Sequence, residues 1–98
     1  MSRIQHTVAF RLVHASGSEE EQAFLSAAQT LADIPGVEAF AQLRQIGAKA
    51  PYTFGFSMEF ADQAAYDAYN THPTHVAFVR DRWASEVAEF QELDYVAL

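Results

Sequence analysis

Two of the four histidines in this chain, His72 and His75, flank Pro73, and Tyr69 stands one helical turn upstream of them. A neutral imidazole takes a proton from an activated carbon, while a nearby phenol or second imidazole holds the carbonyl that must be polarised. The stretch from Tyr69 to His75 thus carries the side chains of proton-transfer chemistry close to the start of a helix, whose positive end disfavours the imidazolium of His75. His6 and Asp94, from opposite ends of the chain, add a third imidazole and a carboxylate able to fix its tautomer. Each residue also has a plainer reading. His72 would cap the helix, His75 would fill a polar gap, and His6 with Asp94 would form a satisfied buried hydrogen bond, the commoner fate of such a pair. Three imidazoles and a carboxylate also suit zinc. A His-x-x-His step interrupted by proline, however, lacks the i, i+4 register of a zinc-binding helix, so no metal and no other cofactor is expected.

The elements that must position these groups follow from hydrophobic period. From Ile4 to Leu12 the even positions read Ile4, His6, Val8, Phe10 and Leu12, an alternation that predicts a strand with His6 on its buried face. Ser18-Glu19-Glu20-Glu21 fits a capping box opening a helix from about Glu19 to Ala32, with Phe24, Ala28 and Leu31 along one stripe. Pro35-Gly36 ends that helix. Val37 to Ile46 reads as a second strand of ambiguous phase, and Gly47 to Pro51 as a loop. Tyr52 to Phe60 is a third strand with Phe54, Phe56, Met58 and Phe60 on one face. Ala61 to Tyr69 is a short helix capped by Asp62. Pro73 suits the first turn of the next helix, because its missing hydrogen would be unpaired there in any case. Val87 to Val96 closes the series as a fourth strand.

The order β-α-β-β-α-β is the ferredoxin-like split unit of the α+β class, with a four-stranded antiparallel sheet in the order 4-1-3-2. In that topology strands one and four are neighbours, so His6 should lie close to Asp94, unless a one-residue slip turns Asp94 to the other face.

Composition bounds the function. Ninety-eight residues, half of them apolar, predict one domain over 1–98 with one modest core. A formal charge of −7, with six scattered Lys and Arg, argues against nucleic acid as a partner. No cysteine is present, which excludes disulfides and thiolate chemistry. Neither a membrane-spanning stretch nor an apolar leader is visible, and a cytoplasmic location is expected.

The motifs His6-Thr7-Val8-Ala9-Phe10-Arg11, Ile34-Pro35-Gly36-Val37, Tyr69 to His75 with Val76, and Asp94-Tyr95 together resemble the stress-responsive dimeric α/β-barrel (Dabb) family. The resemblance spans nearly the whole chain, and its most specific piece is His-Pro-x-His following a tyrosine. It implies a homodimer in which two ferredoxin-like sheets pack face to face as a barrel. It also implies a pocket between sheet and helices that takes a small aromatic or polyketide-like ligand. One branch, similar to olivetolic acid cyclase, closes a linear polyketide by aldol condensation. By that likeness His75 matches the general acid/base and Tyr69 the orienting tyrosine, with His6, His72 and Asp94 as further pocket residues. Val8, Phe10 and Phe24 are expected to supply apolar wall. The cyclase branch has a histidine on strand three where Phe54 stands here, and the helix after His75 diverges. Three functions are therefore expected as alternatives: a small-molecule binding protein, a cyclase or lyase using His75, and a structural stress protein without pocket chemistry.

Overall fold

The computed structural model describes residues 2–98. Its first strand, β1 (Ile4–Leu12), has the bounds its alternation predicts and buries Ile4, His6, Val8, Phe10 and Leu12. Helix α1 (Glu19–Ala28) starts at the expected cap: the Glu21 amide donates to Ser18 Oγ at 3.2 Å. The returning carboxylate of Glu21 accepts from the Gly17 amide, one residue beyond the usual capping-box position. The helix then tightens into a 3-10 stretch, Gln29–Asp33, which still buries Leu31. Gly36, at φ +91°, makes the turn into β2 (Glu38–Arg44), a conformation glycine adopts without steric cost.

The ambiguous phase of β2 has a structural cause. Ala39 sits at φ 52°, and the pairing with β3 (Phe54–Phe60) shifts between Glu38 and Ala41. This bulge moves the strand by one residue, so Glu38 opposes Glu59 while Gln42 opposes Phe56. Arg3 bridges the two carboxylates that the bulge brings together, at 3.0 Å from Glu38 and 3.2 Å from Glu59.

Helix α2 (Gln63–Thr71) is capped by Asp62, which accepts from the Ala65 amide at 2.9 Å, and runs two residues beyond the expected Tyr69. Helix α3 (Pro73–Phe78) begins at the expected proline. A single π-helical turn, Val79–Trp83, and a last short turn, α4 (Ala84–Glu86), lead into β4 (Val87–Tyr95).

The four strands order as β2-β3-β1-β4, all antiparallel, as the topology requires. One expectation is corrected. The sheet is open and not closed into an α/β barrel: β2 and β4 lie at opposite edges and do not pair. Four strands are too few to curl upon themselves around packed side chains, which takes about eight.

The helices cover the even-numbered face of β1 and β3. Phe10 is the hub there, with ring centroids 4.7 Å from Phe56, 5.1 Å from Trp83 and 5.8 Å from both Phe24 and Phe54. Phe10 and Phe24 are wholly buried. Truncating Phe24 to alanine leaves a void among the rings of Phe10, Phe78 and Trp83 that the sheet cannot collapse to fill. Phe24→Ala should cost about 3–5 kcal/mol in urea unfolding, and a loss below about 1 kcal/mol would contradict this packing.

Candidate functional site

The register of β1 against β4 places His6 directly opposite Asp94. His6 Nδ1 lies 2.5 Å from Asp94 Oδ1. Tyr66, on α2, donates its hydroxyl to Asp94 Oδ2 at 2.9 Å, and the same hydroxyl lies 2.9 Å from His6 Nδ1. An ionised carboxylate only accepts, so Nδ1 carries the proton and Nε2 keeps its lone pair. Burial and the nearby Asp94 charge hold the Tyr66 phenol well above its usual range, so it remains a donor.

His75 is fixed in the same sense by a different partner. Its Nδ1 donates to the Asn70 carbonyl at 3.1 Å, which again leaves Nε2 as the acceptor. Burial, foremost, lowers the His75 pKa from its ordinary 6.5; the Asn70 carbonyl and Glu92 act in the opposite direction, and His6 adds to the lowering. The ring is held neutral, as expected, but burial leads, not the helix end. Tyr69 packs against it at 4.4 Å between ring centroids and stands 6.2 Å from His6. Burial, then the charge of Glu92, pushes the Tyr69 hydroxyl up, so it too stays protonated.

His6, Tyr69 and His75 border a cavity of about 240 Å³ between the even face of the sheet and α2, α3 and the π turn. Val8, Phe56 and Met58 form its floor and Leu31 and Phe78 part of its wall. Its polar lining comes from His6, Tyr69, Asn70, His75 and Glu92. The π turn contributes Val79 and Trp83, consistent with the frequent occurrence of such turns beside ligand sites.

Of the expected site residues, His6, Val8, Tyr69 and His75 meet at this cavity. Asp94 stands behind His6 and reaches the cavity only through it. His72 caps α3, its Nδ1 accepting from the Thr74 amide at 3.1 Å, and does not border the cavity. Phe10 and Phe24 lie in the core behind the wall. Tyr66 and Glu92 were not anticipated, although Tyr66 is one turn before Tyr69 and Glu92 is two residues before Asp94 on the same strand face. Among the described residues, no group of three or more His, Asp or Glu side chains is arranged to hold a metal ion.

Two outcomes follow. Asp94→Ala strands a buried imidazole nitrogen and should cost about 2 kcal/mol in denaturant unfolding, with Tyr66→Phe costing about 1. Additive losses in the double variant would show that the three groups do not act together. Because the folded His75 resists protonation, its stabilising contribution is complete above the unfolded value of 6.5 and is lost as pH falls through the depressed folded one. Urea titrations at neutral pH and at about pH 5.5 should show that loss, and His75→Gln should reduce it.

Similar solved structures share this architecture. A Dabb family protein with a ferredoxin-like fold from Mesorhizobium loti is 62% identical, with a TM-score of 0.99 over 100% of this chain and 99% of that one. A dimeric ferredoxin-like protein of unknown function from Thermobifida fusca is 21% identical, with a TM-score of 0.79 over 98% of this chain and 92% of that one. Hydroxynitrile lyase from Passiflora edulis is 15% identical, with a TM-score of 0.85 over 98% of this chain and 94% of that one, a likeness of fold. No curated protein matches the chain. The family model for the stress responsive A/B barrel domain matches residues 4–97, and the chain therefore belongs to the Dabb family.

Proposed function

We propose that this protein binds a small, largely apolar organic molecule, aromatic or polyketide-like, in the cavity beside His75, and does so as a cytoplasmic homodimer. The observation that carries the binding reading is the cavity itself: a mostly apolar hollow with a few convergent polar groups is the ordinary form of a small-molecule site. The dimer rests on two supports. The relative from Thermobifida fusca is described as dimeric, and the odd-numbered sheet face leaves Leu43, Leu93 and Tyr95 about half exposed. No helix among the described residues is long and apolar enough to cross a membrane.

A proton-transfer role is the second reading, favoured by the tautomers. Both His6 and His75 are bonded through Nδ1, which leaves Nε2 of each ring free to accept. In this reading His75 takes a proton from carbon next to a carbonyl, and the protonated Tyr69 hydroxyl donates to the carbonyl oxygen as charge develops there. Cyclase and lyase chemistry both need this pair of functions.

The reading is testable without the natural substrate. Acetophenone in heavy water exchanges its α-protons slowly, and NMR follows the exchange directly. The protein should accelerate it, and His75→Ala should lose at least about tenfold of the acceleration while keeping its fold. No acceleration by the unaltered protein would remove the proton-transfer reading; an unchanged rate in His75→Ala would remove His75 from the role. Light scattering at low concentration should give twice the 10.9 kDa chain mass, and a 10.9 kDa species would remove the dimer.

A further inference from the structure

The cavity carries one charge that its proton chemistry does not use. β4 pairs with β1 so that Phe90, Glu92 and Asp94 stand opposite Phe10, Val8 and His6, on the even face of the sheet at its exposed edge. Asp94 is bonded to His6 and Tyr66. Glu92 borders the cavity, yet it takes part in none of the ion pairs among the described residues. The cavity lining includes no Lys or Arg to balance it. Its charge reaches into the site, acting on Tyr69 and on His75. Beside it are the rings of Phe90 and Trp83, packed edge to face at 5.5 Å, and both border the same cavity.

A carboxylate next to aromatic faces is the arrangement that holds an organic cation, through an ion pair and the negative face of the rings. A ligand carboxylate would meet the like charge of Glu92 with no cation to offset it. We infer that Glu92 determines the charge of the molecule this cavity accepts: an aromatic or alkyl body bearing an amine or other cationic group, in preference to a carboxylic acid. This rests on the reading of the cavity as a ligand site. A charge on the inner face of an edge strand has another use, since it discourages edge-to-edge pairing with a second chain. That alternative predicts an effect on association and none on ligand charge.

Three probes of one shape separate these outcomes: benzylammonium, benzyl alcohol and benzoate, each titrated while following the fluorescence of Trp83, the single tryptophan of the chain. Benzylammonium should bind about tenfold more tightly than benzyl alcohol, with benzoate weakest. Glu92→Gln should bring all three within about twofold of one another. Glu20→Gln removes the same charge from the first turn of α1, away from the cavity, and should leave the order intact; loss of the order there would assign it to overall charge and overturn the proposal. The order persisting in Glu92→Gln, or benzoate matching benzylammonium in the unaltered protein, overturns the role of Glu92 while the ligand site stands. A Glu92→Gln protein that only self-associates, with the order kept, assigns the residue to guarding the strand edge. Binding of none of the three removes the ligand site, and this inference with it.

Discussion

Burying a polar nitrogen among aromatic rings is costly unless it finds a partner, and His6 Nδ1 does so in Asp94 and Tyr66. The three residues come from β1, β4 and α2, so one cluster joins the central strand, an edge strand and the helix above them. This cluster fixes more than local geometry. The β1–β4 register brings Asp94 to His6; a slip of one residue would turn Asp94, Glu92 and Phe90 to the opposite face at once. The composition of the cavity wall therefore depends on the same pairing that satisfies the buried ring.

The site has a consistent protonation pattern. Both cavity imidazoles spend Nδ1 on an oxygen of the protein, and burial keeps His75 neutral, while both tyrosine hydroxyls retain their protons. Tyr69 thus presents a donor, and His6 and His75 acceptors, to a shared, largely apolar hollow, while Tyr66 donates to Asp94 behind it. Nothing in this pattern requires a helix end to tune His75, because removal from water has the same sign.

Much of the scaffold was legible in the chain. β1 and β3 alternate without interruption, Ser18 and Asp62 announce their helices, and Pro73 marks the start of α3, so the strand order and the meeting of His6 with Asp94 followed from topology. What could not be read has identifiable causes. The bulge at Ala39 breaks the period of β2, and the π turn at Val79–Trp83 adds a residue per turn that leaves no periodic trace. The expectation of a barrel came from likeness, not from any local pattern, and the open sheet corrects it. Phe10 and Phe24 looked suited to a pocket wall because they are large and apolar, yet such side chains pack best at the centre of the core. Glu92 was overlooked because it is an exposed charge on an edge strand, and only the three-dimensional register shows that it also borders the cavity.

The position of β4 bears on the firmness of the cavity wall. It holds one wall of the cavity, but only one neighbouring strand holds it, whereas the floor belongs to β1 and β3 inside the sheet. Fraying of an outermost strand demands far less free energy than melting the centre. The cavity floored by Val8, Phe56 and Met58 thus has one margin held less firmly than the rest, because β4 has a single neighbour while β1 and β3 are paired on both sides.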